Sequence, residues 1–534
     1  MPEQPTLSPE APPFDVVIIG AGLAGLTAAL HLAERGLQPL VLEADQQWAG
    51  GRLSGGEPER IVHHGCVWAF PSEHGIHALW GGYVNMRATL ERFLDLTPIP
   101  SSGEVWINRW GYTITRIEAG SAVRYSWLPA PFHHVQLLLR PRFWTTITPL
   151  DFLSLPGFLV SILLTVGLDP LVERRALDGL SMDDYFGGWT PNLKATFIGL
   201  GKNLLAAPRE RISLTAFIAA IRFYTLLRRD SWFPHFFPDD SDTALIAPMI
   251  ARLQALGGRV QYGATADRLE KTAAGWRVIV DDAPRRGKRS LETQHVILAV
   301  NAPAAARLLC AGEATASQAA KLRFPGSLKT TTVRLWFSAA PTHGGTSGML
   351  TGDFTFDNFF WLHEMQPAFQ TWHQATGGSA VELHLYAGDK LNDQPDAALI
   401  RQAEDEITLA FPQVRGTLLH STIRRNSKTH TEFRVPTADS LHVETPYPNI
   451  FACGDWIGFD TPSLWMERAC TTGIAAANAV LAACGKPGYA IRQPSPPEAL
   501  ARTLHGVVGL GRGAIRVPLQ WMRRGRTRRM KMRR

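Results

Sequence analysis

Three glycines at fixed spacing, Gly20, Gly22 and Gly25, stand between an apolar run, Phe14 to Gly20, and a stretch in which Leu26, Ala29, Leu30 and Ala33 recur at helical intervals. That pattern suits a backbone that must approach a pyrophosphate. Gly20 permits the tight turn, Gly22 lets the main chain come close to phosphate oxygens, and Gly25 lets the helix pack closely on the strand. The phosphates would meet the unpaired N–H groups and positive dipole end of the helix, at Leu23 and Ala24. Glu43 closes the next apolar run, Pro39 to Glu43, where a strand-end carboxylate can accept hydrogen bonds from ribose hydroxyls, with Ala44 beside it. Further on, Gly50-Gly51-Arg52 brings a close-approaching backbone and a forked guanidinium to the same phosphates.

Holding these groups requires a strand, turn, helix and strand in that order, one right-handed unit of a parallel sheet. Apolar stretches at Arg259 to Tyr262, Val296 to Val300 and Asn449 to Gly454 predict further strands of the same sheet, the last leading into a helical run from Leu464 to Ala483. Between them, Tyr112 to Asp240 reads as helical and apolar, whereas Thr330 to Phe337 and Val381 to Tyr386 alternate as half-buried strands.

The order GxGxxG, strand-end glutamate and GGR resembles that of the flavin-containing amine oxidase and phytoene desaturase superfamily. The resemblance continues at Gly258-Arg259-Val260, where the family's valine holds adenine through its main chain, and at Val296 to Pro303. It closes with Gly454-Asp455, whose family counterpart accepts from the ribityl or pyrophosphate region, and with Pro462 to Asn478, similar to the helix whose start, here around Met466, approaches the flavin ring. The resemblance implies FAD as cofactor. It also implies an α/β fold: a Rossmann-type two-dinucleotide-binding (FAD) domain over residues 14–111, 241–310 and 445–484, with an inserted mixed α+β substrate domain over 112–240 and 311–444. Residues 1–13 read as a disordered extension and 485–534 as a basic tail.

Within the superfamily the chain is most similar to the carotene desaturases, especially the isorenieratene-synthase-like desaturase/methyltransferases. Ser181 to Phe186, Leu204 to Pro208, Ser241 to Ile250 and the stretch from Gly454 carry that likeness. What it implies is an enzyme that removes hydride from a lipophilic polyene, with or without a coupled methyl shift on an end ring, and passes electrons to a quinone or oxygen. Two other readings stay open: a flavin amine or small-lipid oxidase, including squalene-type dehydroxylation, and a flavin-bearing membrane module without turnover. Amine oxidases of the superfamily carry a lysine in a Lys-Val-Val-Leu-x-Phe strand; here Thr332 holds that position, and Lys329 lies at an odd offset that turns it to the other face. No base can be named. His64, next to His63 and just before Gly65-Cys66, and Glu467 are the catalytic candidates, each with an ordinary structural role open to it: loop packing for the histidines, an ion pair with Arg468 for the glutamate.

The five cysteines are scattered and show no CxxC or CxxH spacing, so neither a disulfide framework nor a metal site is expected. The net charge of +7 is concentrated in Arg516 to Arg534, which holds nine basic residues and no acid and leaves the remainder near −2. No basic segment followed by an apolar one opens the chain, so no secretory signal is expected. Basic residues are not interleaved with aromatics as a nucleic-acid surface requires. Instead, Phe152 to Leu168 is free of charge but broken by proline and glycine, Leu214 to Leu227 is a second apolar stretch, and Val517, Leu519, Trp521 and Met522 accompany the terminal arginines. These features predict a cytoplasmic protein held peripherally on a membrane, with the tail on anionic lipid.

Overall fold

The computed structural model describes residues 14–73, 75–95, 99–100, 104–173, 177–232, 234–283, 287–342, 345–510, 519–520 and 522. β1 (Val16–Ile19), α1 (Leu23–Ala33) and β2 (Pro39–Leu42) form the anticipated unit. They belong to a five-stranded sheet ordered Arg259–Gln261, β2, β1, His295–Leu298, Ile450–Ala452, every neighbouring pair parallel. Ile18 pairs with Val41 on one side and Ile297 on the other, and all side chains of β1, β2 and His295–Leu298 are buried. Burial on both faces is why these segments read as unbroken apolar runs. The helix Trp465–Ala483 packs along α1. Gly473 permits that closeness, since an added Cβ would lie 2.6 Å from the Ala24 carbonyl oxygen, while Gly25 lets α1 start against the preceding turn, an added Cβ there lying 2.0 Å from the Gly20 carbonyl oxygen.

The substrate domain is built on a seven-stranded sheet, ordered Leu418–Thr431, Ser327–Phe337, Ser379–Leu385, Asn358–Trp361, Ser347–Gly352, Glu104–Trp110, Thr113–Glu118. One face is apolar: Val333, Leu335 and Phe337 pack with Leu399, Ala403 and Ile407 of the helix Asp396–Ala410. Thr330, Thr332 and Arg334 point to the opposite face, where the helix Pro191–Leu205 lies over Ser347–Gly352. Asn108 Nδ2 donates to Thr196 Oγ1 at 2.9 Å, fixing that helix on the sheet.

Three expectations change here. The boundary at residue 111 falls inside a hairpin, because Glu104–Trp110 and Thr113–Glu118 pair with each other and extend the substrate sheet beside Ser347–Gly352. Residues 485–510 are bound to the rest of the chain: Lys486 Nζ donates to the Arg35 carbonyl at 3.0 Å, Tyr489 OH to Glu34 at 3.0 Å, and Glu498 pairs with Arg229 at 3.1 Å. The second apolar stretch is interior, since every residue of the helix Leu214–Ile221 is either buried or, for Thr215 alone, partly so. The extension over residues 1–13 and all nine basic residues of Arg516 to Arg534 lie outside the described residues. Of the apolar residues among those arginines, Leu519 and Met522 are buried against the main core and do not form an outward anchor; Val517 and Trp521 lie outside the described residues.

Candidate active site

The cradle opens at the end of β1. Gly20 adopts a left-handed φ of 110°, with the space beside it closed by the Ala299 carbonyl oxygen at 2.6 Å from an added Cβ. Gly22 differs: its backbone is extended, and the only atom within 4 Å of an added Cβ is the Gly50 carbonyl oxygen, at 4.0 Å. Gly50 N donates to Ala21 O at 2.8 Å, so the glycine pair of the GGR segment is laid against the first glycine turn. The first turn of α1, at Leu23 and Ala24, has no side-chain cap at its N-terminus. An open concavity lined by glycine backbone, uncapped helix amides and Arg52 fits a pyrophosphate.

Glu43 stands at the end of β2, its Oε2 accepting from Ala21 N at 3.1 Å and its Oε1 from Asp45 N at 3.0 Å. Burial raises its pKa against those amides and that of Ala44. Val260 lies in the edge strand beside Val41, two residues ahead of Tyr262, so both border the same end of the cradle. On the other flank, Gly454 follows Ile450–Ala452 with a φ of 147° and is tied to the helix Trp465–Ala483 by Thr472, which accepts from Gly454 N at 2.9 Å. Asp455 forms an ion pair with Arg52, joining two motifs about four hundred residues apart in the chain. Met466 is buried in the first turn of the helix Trp465–Ala483.

One residue with no motif to announce it completes this corner. His430, on the substrate-domain strand Leu418–Thr431, meets Arg52 Nη1 through its Nδ1 at 3.3 Å and stacks on Trp465 with ring centroids 4.9 Å apart. Arginine only donates, so Nδ1 accepts and the ring is neutral. Burial, and then the adjacent Arg52 charge, hold its pKa down at about 4. Trp465 Nε1 in turn donates to Leu204 O at 2.9 Å, reaching the end of the substrate-domain helix. Arg468, fully buried, organises the loop before Trp465 by donating to the carbonyls of Ile457, Phe459, Thr461 and Ser463.

The chain matches the family model described as flavin containing amine oxidoreductase over residues 23–481. The chain belongs to that family. Among curated relatives it is 26% identical over 505 residues to a carotenoid phi-ring synthase of Streptomyces griseus, covering 89% of each chain. It is 27% identical over 278 residues to the 15-cis-phytoene desaturase of Arabidopsis thaliana, covering 49% of this chain and 43% of that protein. Among solved structures, cyclohexylamine oxidase of Brevibacterium oxydans shares the fold at 16% identity with a TM-score of 0.64, covering 89% of this chain and 100% of that one. A putrescine oxidase does so at 15% identity and a TM-score of 0.60, covering 88% and 99%. As a member of the flavin-containing amine oxidoreductases, the protein is an FAD-dependent oxidoreductase, and the residues of the cradle described above fit that cofactor's pyrophosphate and ribose.

The two catalytic candidates lie elsewhere. His64 sits with a φ of 52° at the exposed turn joining Glu59–His63 to Cys66–Phe70, its ring 4.0 Å from that of His63. Nothing there holds it toward the cradle. Glu467 is fully buried and makes no pair with Arg468; it accepts from Asn85 N at 2.8 Å, Asn85 Nδ2 at 2.9 Å and Met86 N at 2.9 Å, capping the helix Val84–Leu90. Lys329 is taken up by Asp393 at 2.6 Å, on the face away from Thr332.

Glu467 gives a test of this capping role. Burial lifts its carboxyl from an ordinary 4.5 to about 7, so the folded protein keeps a proton that the unfolded chain gives up in between. The contribution of this group to stability therefore falls as pH rises from about 4.5 to about 7, by about 3 kcal/mol. Glu467→Gln removes the titration and should flatten that slope while FAD is retained. Denaturant unfolding of both proteins at pH 5 and pH 7 measures it; equal slopes would show that the carboxyl does not titrate across this range.

Proposed function

We propose that the protein dehydrogenates a lipophilic polyene of the carotenoid class at a membrane surface, with or without rearrangement of an end ring. The observation that carries this reading is the combination of the FAD cradle with a broad, exposed apolar face on the substrate domain. Within the apolar run Pro149–Gly167, 19 residues long, the most apolar stretch of 18 residues is only 44% buried. Leu155, Leu159 and Leu163 form one stripe at four-residue spacing on the helix Leu155–Gly167, and Phe152 and Leu153 precede it, 63% and 72% exposed. The helix Ala499–Leu510 packs beside it, anchored by His505 Nδ1 on Val166 O at 3.0 Å, and adds Val507 and an almost fully exposed Leu510. Soluble surfaces rarely carry so continuous an apolar patch, and a polyene is reached through a bilayer. The end-to-end likeness to a carotenoid phi-ring synthase supports the same substrate class.

When bound, FAD supplies a two-electron acceptor for hydride. Arg52, held by Asp455 and His430, and the α1 amides would hold its pyrophosphate, and the uncapped start of Trp465–Ala483 would offer N–H groups to negative charge developing on it. Thr332 stands where amine oxidases of the superfamily carry lysine, so that lysine is missing from this strand position, which weakens the amine-oxidase reading. Expression in a cell that accumulates cyclic and acyclic carotenoids, followed by pigment identification, tests the reading. A new pigment with more conjugated double bonds or an aromatic end ring is expected. An unchanged pigment profile beside FAD-loaded protein would overturn it.

A further inference from the structure

A chain of buried polar groups runs across the substrate sheet on the face that carries Thr332. Glu382 is fully buried; its Oε2 accepts from Arg334 Nε at 2.6 Å and its Oε1 meets His384 Nε2 at 2.7 Å. His384 Nδ1 lies 2.9 Å from the Tyr386 hydroxyl. Arg334 is itself committed to the carbonyls of Pro71 and Glu73. Burial alone would raise the Glu382 pKa, but Arg334 and His384 outweigh it and hold the carboxyl at about 2. A permanent carboxylate accepts the proton of Nε2–H, which leaves Nδ1 as an acceptor for the phenol. The order carboxylate, imidazole, hydroxyl is that of an acid–base relay, in which burial and the Asp357 and Glu382 charges keep the phenol protonated at rest.

Its place in the fold connects it to the cofactor. His384 pairs with Thr332 across the ladder, and Arg424 pairs with Thr332 from the other side. Farther along the same strand, Leu328 pairs with His430, the residue that touches Arg52. His384 thus stands four ladder positions, roughly 13 Å along the strand direction, and two strands across from the histidine that touches Arg52. Gly75, at a left-handed φ of 115°, lies against the imidazole edge, an added Cβ there meeting His384 Cε1 in ordinary contact at 3.4 Å. Behind the phenol, Asp357 accepts from Tyr386 N at 2.7 Å and pairs with Lys202. The charged groups facing the relay are therefore Arg334, Arg424 and Lys202 against Glu382 and Asp357. Burying such an assembly costs several kcal/mol relative to apolar packing of the same volume.

We propose that Tyr386, backed by His384 and Glu382, is the group that receives the proton leaving the substrate. The step rests on the dehydrogenation reading given above. Two C–H bonds of the polyene break: one hydrogen leaves with its electron pair as hydride to the flavin, the other as a proton. The electron pair of the second bond becomes the new C=C bond. The Tyr386 oxygen takes the proton while its own passes to His384 Nδ1, and the resulting imidazolium faces the Glu382 carboxylate until the proton leaves to solvent.

The test uses the FAD-loaded protein and two variants, Tyr386→Phe and His384→Gln. In anaerobic single turnover with the polyene that the wild type converts, bleaching of the flavin should slow by roughly 10²- to 10⁴-fold in each, with FAD content unchanged. ¹⁵N NMR of the resting wild type, with the His384 signals assigned by their loss in His384→Gln or by their shift in Tyr386→Phe, should show the proton on Nε2. Bleaching within about threefold of wild type in Tyr386→Phe, or a resting proton on Nδ1, would overturn the proposal. Tyr386→Phe removes one hydroxyl and carries the test alone if His384→Gln does not fold. If no polyene bleaches the wild type, the substrate reading has failed instead, and the tautomer still decides whether the relay exists.

Discussion

Gly22→Val is expected to give a folded, colourless protein. The backbone at Gly22 has φ −72° and ψ 176°, which valine adopts readily, and an added Cβ meets nothing closer than the Gly50 carbonyl oxygen at 4.0 Å. The free chain therefore has no reason to lose its fold. The same space is where the pyrophosphate must approach the main chain, so branched carbon there displaces it and removes the helix amides from reach. A clash of that kind costs at least about 3 kcal/mol, more than a hundredfold in FAD affinity. Gly25→Val makes the contrast, because its Cβ would lie 2.0 Å from the Gly20 carbonyl oxygen and should cost the fold itself. Flavin absorbance after purification, together with far-ultraviolet circular dichroism, separates the two. Full flavin content in Gly22→Val would mean that the cofactor lies elsewhere.

Those two glycines also show what the sequence could and could not convey. The strand, glycine turn and helix from Val16 to Ala33 are specified within a window of some twenty residues, by buried apolar runs and by turn chemistry, so both the unit and its partner β2 are readable locally. The later strands were readable for the same reason. What escaped was fixed by contacts between distant segments. Glu104–Trp110 belongs to the substrate sheet only because Ser347–Gly352 lies beside it, and nothing in its own residues names that partner. His430 reaches Arg52 across the domain junction, from a strand whose local pattern marks it as a sheet residue like any other. Glu467 had the composition of a catalytic acid, yet its carboxylate caps a helix that begins nearly four hundred residues earlier. The basic tail was legible as charge, whereas the binding of residues 485–510 to both domains depends on single polar contacts such as Tyr489 with Glu34 and Glu498 with Arg229.

The exposed apolar face leads to the other large effect. Changing Leu155, Leu159 and Leu163 together to Gln should abolish flotation of the protein with neutral phosphatidylcholine vesicles at high salt. The three side chains are 55%, 53% and 48% exposed, so the core is little disturbed by the change. Transferring the exposed half of each leucine into acyl chains is worth ~1 to 1.5 kcal/mol, about 4 kcal/mol for the stripe and close to a thousandfold in partitioning. Glutamine is chosen because it is neutral: a protein held only by the arginines of its C-terminal segment would float equally well before and after the change, on anionic vesicles at low salt and on neither kind at high salt. FAD content and the unfolding midpoint should stay at wild-type values, since the stripe touches neither the cradle nor the sheet. Loss of flotation with flavin retained would place the membrane contact on this face. Undiminished flotation of the triple variant on neutral vesicles would show that Leu155–Gly167 is not the contact, and the search for it would move to the helix Ala499–Leu510 that packs alongside.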